Sequence, residues 1–434
     1  MEVQSQGTTI RHPRGLYVLF FVEMWERFSF YGMRALLVLF LTKAWLMADA
    51  KANLIYSFYN SLVYFTPIVG GYLADRTLGY RKSIFLGGFL IMMGHLSLSL
   101  NEPNFFYAGL GFLILGNGFF KPCISTVVGK IYELEGKEDL KDSGFTIFYF
   151  GINAGAVLGT WACANLAEYK GWHYGFGVAA FGMLLGLLIF WFLGRRIDPK
   201  AFSSVTDSSP LSETSASTAN PKTDREKILA ILVFSAVTIT FWASFEQMGS
   251  TMNLIIDRYV DRNVFGWEIP AANYQSLNPI FVMLLSLLFS WAWKKTEESG
   301  IHVSSVTKFC LGLVVLALGF LLLSVVTAGS SEKISSLWIV LGFFLLTSGE
   351  LFVSPVGLSL VTKLAPVRIA SMMMGIWFLA TVFGHSLAGF LALFMGKQDS
   401  LSRFFLIFFS LPTLTAICLF LFRKKLESWM HGIK

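Results

Sequence analysis

The sequence predicts an all-α integral membrane protein of twelve spanning helices arranged as two bundles of six. Three observations carry that reading. Of the 434 residues, 55% are hydrophobic and 14% charged, with 43 Phe, a balance foreign to a water-soluble globule. Apolar runs long enough to cross a bilayer, roughly 17–25 residues, recur along the whole chain. Lys and Arg gather in alternate connections, the pattern of the positive-inside rule.

Taken in order, the spans fall at about 15–42, 52–74, 83–100, 105–128, 144–166, 173–193, 228–256, 271–293, 306–327, 337–361, 371–395 and 403–422. The first run is long, carries charges and has no small-residue cleavage site behind it, so it is expected to stay in the mature protein. The one long polar connection, Gly194 to Lys227, is Ser/Thr-rich from Ser203 to Thr218. It reads as a flexible linker with room for one short interfacial helix. The chain thus divides into an N-terminal bundle (1–193), a linker (194–227) and a C-terminal bundle (228–434), with both termini and the linker cytoplasmic. The net charge of +7 is spread over these connections rather than pooled in a patch, which argues against a nucleic-acid partner. Cys123, Cys163, Cys310 and Cys418 lie in apolar runs without C-x-x-C spacing, so neither a disulfide framework nor a metal site is expected. No cofactor is implied.

The first span holds Glu23, Glu26 and Arg27 near its middle, with Arg34 two turns on. At i, i+3 and i+4 the first three project from one helical face. Three charges facing lipid at mid-bilayer would cost on the order of 9 kcal/mol, so that face is expected to look into protein or a wet cavity. Lys121, Glu246 and Glu350 also fall inside spans. Four carboxylates and three cations can nearly neutralise one another, and protonating a carboxylate releases its cation. The competing reading is a set of permanent salt bridges fastening helices, which is a poor source of net stability. For the single pair Arg34–Glu246 the two readings weigh about equally.

The halves echo each other. Glu26 and Glu246 lie in the first span of each, Pro67 and Pro279 in the second, and Gly118 with Lys121-Pro122 and Gly349-Glu350 with Pro355 in the fourth. Helix breaks and charges at matching places in two repeats point to a solute site at the midplane between them. Polar residues beside these points, Tyr64, Asn117, Asn153, Gln275 and Asn278, could meet a zwitterion's amine and amide groups or serve as interhelical glue. Trp242, Phe245 and Trp377 could wall a pocket or simply pack. His95 and His385 have no acid near them in sequence and are read as packing residues.

The loop Gly70-Gly71-Tyr72-Leu73-Ala74-Asp75-Arg76-Thr77-Leu78-Gly79-Tyr80-Arg81-Lys82 resembles the cytoplasmic signature of the major facilitator superfamily. The stretch Glu23-x-x-Glu26-Arg27-Phe28-x-x-Tyr31-Gly32-Met33-Arg34 is similar to the E-x-x-E-R motif of the proton-dependent oligopeptide transporter family. Further matches follow in order, among them Gly116-x-Gly118-Phe119-x-Lys121-Pro122, Phe148-Tyr149-x-x-Ile152-Asn153-x-Gly155, Phe241-Trp242-x-x-x-Glu246-Gln247, Gln275-Ser276-x-Asn278-Pro279 and Gly349-Glu350-Leu351-x-x-Ser354-Pro355. The resemblance implies the major facilitator fold and a proton-coupled symporter of di- and tripeptides working by alternating access. It implies that Glu23, Glu26, Arg27, Lys121 and Glu246 form the coupling network, with Arg27 and Lys121 near the substrate carboxylate. Arg34 and Glu246 would pair as an extracellular-side gate. Glu350 would hold the peptide's amino group, helped by Asn153 and Asn278, while Tyr31, Tyr64 and Trp377 would line the pocket.

Phe30 stands where a tyrosine is common and Cys123 where an asparagine is usual, which keeps open a member adapted to nitrate, an amino-acid conjugate or a peptide-like drug. Span two has no His, so a carboxylate must carry the proton. The expected partners are short peptides and the lipid bilayer, in a bacterial inner membrane, with the chain working as a monomer. An intramembrane enzyme finds no support, for there is no H-E-x-x-H and no metal-ligand cluster.

Overall fold

The computed structural model describes residues 11–100, 102–203, 221–328, 332–366, 369–396 and 400–433. Helix dominates from end to end. The N-terminal half comprises α1 (Arg14–Lys43), α2 (Asp49–Leu73), α3 (Tyr80–Ser99), α4 (Pro103–Leu134), α5 (Lys141–Lys170) and α6 (Trp172–Leu193). The C-terminal half comprises α7 (Pro221–Phe245), α8 (Thr251–Tyr259), α9 (Leu277–Glu298), α10 (Ser305–Thr327), α11 (Ser336–Leu364), α12 (Ala370–Ala392), α13 (Leu401–Leu421) and α14 (Arg423–Trp429). Ten stretches among the described residues are long and apolar enough to cross a membrane. α1 and α2 have the length, 30 and 25 residues, but charges in one and Asn53, Ser57, Asn60 and Ser61 in the other dilute their hydropathy. In lipid the backbone must satisfy its own hydrogen bonds, which is why such a chain folds as helix.

Three details depart from the expectation. The prolines Pro67, Pro122 and Pro355 sit inside continuous helices rather than at breaks. Pro279 falls in the first turn of α9, where an N–H is not needed. The actual break is at Glu246–Ser250, where α7 tightens into a 3₁₀ turn and restarts as α8. Gln247 holds it, donating to Ala243 O and to Ala388 O of α12 at 3.1 and 3.0 Å, while Gln275 donates to Met248 O at 2.5 Å. Short strands also interrupt the all-α pattern: Val260–Asp261 (β1) pairs in parallel with Ile334–Ser335 (β4), and Asn263–Val264 (β2) with Trp267–Glu268 (β3) as a hairpin. Between α2 and α3, Asp75 lies in a π-helical turn and accepts from Tyr80 Oη at 2.7 Å. The Ser/Thr-rich linker stretch lies, from 204 to 220, outside the described residues.

Small residues set the packing. Gly151, Gly155 and Gly159 of α5 form one stripe at four-residue spacing, and α1 lies directly on it. A Cβ at Gly155 would stand 2.1 Å from Met24 O, and one at Gly159 2.0 Å from Phe28 O. Close backbone approach over small residues is how helices associate where lipid removes the hydrophobic drive. This seam fixes the depth and rotation of the charged turn on α1. At the other end of the chain, Glu427 of α14 accepts from Ser304 Oγ at 2.7 Å and Arg423 Nε at 2.8 Å. The Arg423 hydrogen bond holds its carboxyl below the usual carboxylate range.

The hydrogen bonds and ion pairs that join the halves gather toward the end where α1 finishes. Lys43 Nζ meets Asp257 Oδ1 at 2.9 Å, and Arg258 takes Asp49 in a two-pronged pair at 2.6 and 2.7 Å. Ser61 Oγ and Ser386 Oγ lie 2.8 Å apart between α2 and α12, and Asn253 donates to Ala35 O at 2.7 Å.

Candidate functional site

Seated on the α5 glycine stripe, the charged turn of α1 points into protein. Glu23, Glu26 and Arg27 are each at most 3% exposed, as one helical face requires. Arg27 Nε is 3.2 Å from Glu23 Oε1 and donates to Glu26 Oε2. The guanidinium lies 5.0 Å from the Phe30 ring and 6.0 Å from that of Tyr31. Glu23 Oε2, Glu26 Oε1 and Arg27 Nη2 find no hydrogen-bond partner among the described residues, so the cluster has open positions for a proton or water.

Two turns on, Arg34 reaches across to the C-terminal half. Its Nη2 meets Glu246 Oε2 at 2.5 Å, and its Nε donates to Tyr56 Oη at 2.7 Å. Asn60 donates to the same Glu246 oxygen at 3.3 Å. The broken α7–α8 segment makes this meeting possible: Gly249 lies so close to Tyr56 that a Cβ would stand 1.9 Å from its hydroxyl. A cavity of about 60 Å³ opens here, lined by Tyr31, Arg34, Asn153, Glu246, Gln275 and Asn278, with Phe245 and Thr160 among its walls.

On the far side of Glu246 stands His385 of α12, its Nδ1 3.3 Å from Glu246 Oε1 and its ring 4.6 Å from that of Tyr64. Lys121 Nζ lies 4.6 Å from the centre of the same Tyr64 ring, and has no carboxylate within ion-pair distance among the described residues. Glu350 accepts from Asn278 at 2.9 Å and likewise faces no cation at that range among them. Asn153 lines the cavity and donates to Tyr149 O at 2.9 Å.

The residues singled out from sequence therefore fall into groups. Tyr31, Arg34, Asn153, Glu246 and Asn278 share the cavity. Glu23, Glu26 and Arg27 adjoin it through Tyr31, whose ring lies 6.0 Å from both guanidinium groups. Lys121 connects through Tyr64 and His385, and Glu350 through Asn278. Trp377 does not line the cavity; it is buried within the C-terminal half against Gly357, its ring 6.4 Å from Phe309. His385, read from sequence as a packing residue, stands beside an acid from outside its own helix, Glu246, without hydrogen-bonding it. Tyr56 and Asn60 were not singled out, although with Tyr64 they form an i, i+4, i+8 polar stripe on α2.

Long apolar helices around ionised groups from both halves, far from bulk water, define a multi-pass membrane protein with a buried ionic site between its halves. The chain belongs to the POT family, whose pattern it matches over residues 81–201 and 202–407. It is 33% identical to the peptide transporter YePEPT of Yersinia enterocolitica, over 95% of this chain and 92% of that one. It is 35% identical to a di-/tripeptide transporter of Lactococcus lactis, over 87% and 88%. In fold it resembles the crystal structure of a peptide transporter, POT, in complex with sulfate, with a TM-score of 0.89, 30% identity and coverage of 98% and 97%.

Proposed function

We propose that this protein is a proton-coupled symporter that imports di- and tripeptides by alternating access. It does so as a monomer of twelve spans, with residues 1–193 and 228–434 as two six-helix bundles and 194–227 as a cytoplasmic linker. Its termini face the cytoplasm, and a bacterial inner membrane is its home. The observation that carries the reading is the Arg34–Glu246 pair, which spans the halves inside a cavity bordered by Tyr31, Asn153 and Asn278. A proton on Glu246 removes the charge that holds Arg34, so proton binding and separation of the halves become one event. Glu23 and Glu26 beside Arg27 form a second exchangeable set. A zwitterionic peptide suits this arrangement: Arg27 and Lys121 attract its carboxylate, and Glu350, presented by Asn278, attracts its amine. The coupling ion is the proton, and no other cofactor is invoked. One proton crossing 100 mV supplies about 2.3 kcal/mol, enough for roughly fifty-fold accumulation of a neutral solute.

The deciding experiment is dipeptide uptake into liposomes under an imposed inward proton gradient, with Glu23→Gln alongside. The wild type is expected to concentrate peptide only with the gradient, and the variant to equilibrate it without accumulation. Uptake indifferent to the gradient would end the coupling reading. A second reading, a member adapted to another small solute, is favoured by Phe30, which packs beneath Arg27 at 5.0 Å and offers no hydroxyl there. It predicts that nitrate, an amino-acid conjugate or a peptide-like drug outcompetes dipeptide in the same liposomes.

A further inference from the structure

Away from the ionic site, the outer face of the N-terminal half holds a groove of about 600 Å³ between α3 and α6. Its floor is apolar, made chiefly by Phe85, Phe89 and Trp191, with the Phe85 and Trp191 rings 5.5 Å apart. Its mouth carries three exposed cations, Arg81 and Lys82 from the start of α3 and Arg195 just past the end of α6. None of the three has a carboxylate within ion-pair distance among the described residues. Arg81 lies instead over the Phe202 ring at 5.7 Å and Arg195 over Trp191 at 5.2 Å. Both helices are held close, since a Cβ on Gly88 would stand 2.8 Å from Leu187, so the groove is part of the packed half.

The arrangement is amphipathic in one direction. Unneutralised cations cluster where two apolar helices end together, and an aromatic trough runs from them along the same helices. A soluble anion would meet the cations but leave the trough empty. A neutral lipid would fill the trough but leave three positive charges unmatched. We propose that this groove binds one phospholipid with an anionic headgroup, its phosphate between Arg81, Lys82 and Arg195 and its acyl chains along Phe85, Phe89 and Trp191. Basic pockets between membrane helices recognise anionic headgroups through the same combination, and guanidinium groups match phosphate in a two-pronged fashion. The bound lipid would also brace the first residues after α6, because Phe202 stacks edge-on with Phe190 at 5.9 Å beneath Arg81, and Lys130 Nζ donates to Ser203 O at 2.6 Å.

The test uses the full chain in detergent, delipidated and then titrated with phosphatidylglycerol, cardiolipin, phosphatidylcholine or glycerol phosphate. Lipid retention is read by native mass spectrometry and the thermal midpoint by tryptophan fluorescence. Phosphatidylglycerol or cardiolipin is expected to be retained as a single adduct and to raise the midpoint. Glycerol phosphate and phosphatidylcholine are expected to do neither. Retention should weaken about fivefold for each cation removed in Arg81→Gln, Lys82→Gln and Arg195→Gln, and should fall with added salt in the wild type. The salt series on the wild type keeps the test decisive if any of these variants does not fold. Equal retention of phosphatidylcholine, or undiminished retention in the three single variants, would overturn the assignment. So would an equal effect from glycerol phosphate, which would leave the trough without a role.

Discussion

At the scale of single residues, the site is governed by which charges have partners. Arg34 and Glu246 satisfy each other, so removing either leaves a buried charge uncompensated, at a cost of about 3–5 kcal/mol. A double-mutant cycle on Arg34→Ala and Glu246→Gln, read by thermal unfolding in detergent, is expected to give a coupling of about 1–3 kcal/mol, the double variant losing less than the sum of the singles. Among the described residues Lys121 has no carboxylate partner to abandon. Lys121→Gln should leave the thermal midpoint nearly unchanged while raising KM for a free dipeptide about tenfold or more. A peptide amide, lacking the terminal carboxylate, should show little change; equal losses for both would remove Lys121 from carboxylate recognition. The residue scale is also where sequence was most and least informative. The shared face of Glu23, Glu26 and Arg27 follows from i, i+3, i+4 spacing alone. The Arg34–Glu246 pair, 212 positions apart, follows from no spacing: charge balance among the spans makes it one candidate, and family resemblance gives it a role. His385 was missed because its acid neighbour lies in the turn after α7 while its own stretch of sequence is apolar and uncharged.

At the scale of elements, helix positions follow from apolar length, and observed ends differ from the expected ones by a few residues. Internal irregularities were not legible. Pro67 and Pro122 look like breaks in sequence, yet α2 and α4 run through them. The break at Glu246–Ser250 falls where the run turns polar, Glu246-Gln247-Met248-Gly249-Ser250, a change that reads in sequence as a charge rather than as a break. It is held open by Gln247 and Gln275, whose acceptors Ala388 O and Met248 O lie on other elements. The α1–α5 seam yields a prediction at this scale. Gly159→Leu places side-chain atoms where Phe28 O now lies, forcing α1 off its seat, with a loss of about 1–3 kcal/mol or more and of most uptake. Gly177→Ala on α6, where a Cβ meets nothing within 4 Å, should change neither. Similar losses in the two variants would show that the seam is not what positions the charged turn.

At the scale of the whole molecule, the joining contacts between halves lie toward one end, so alternating access requires that end to part. Ser61→Cys with Ser386→Cys replaces two hydroxyls 2.8 Å apart by thiols able to bridge. Oxidation should then arrest uptake, and a reductant should restore it. Undiminished uptake in the oxidised protein would mean that α2 and α12 never separate there.

The narrowness of the space beside Glu246 has its own consequence for affinity. A cavity of about 60 Å³ falls short of the roughly 300–1,000 Å³ of small-molecule sites, so any peptide must first select a wider form, and its apparent dissociation constant is the intrinsic one divided by the fraction of molecules already in that form. Loosening the distant Asp49–Arg258 clasp would enlarge that fraction without touching the binding groups. Asp49→Asn should thus make the carrier hold externally supplied peptide more tightly, even though the substitution deletes a bond.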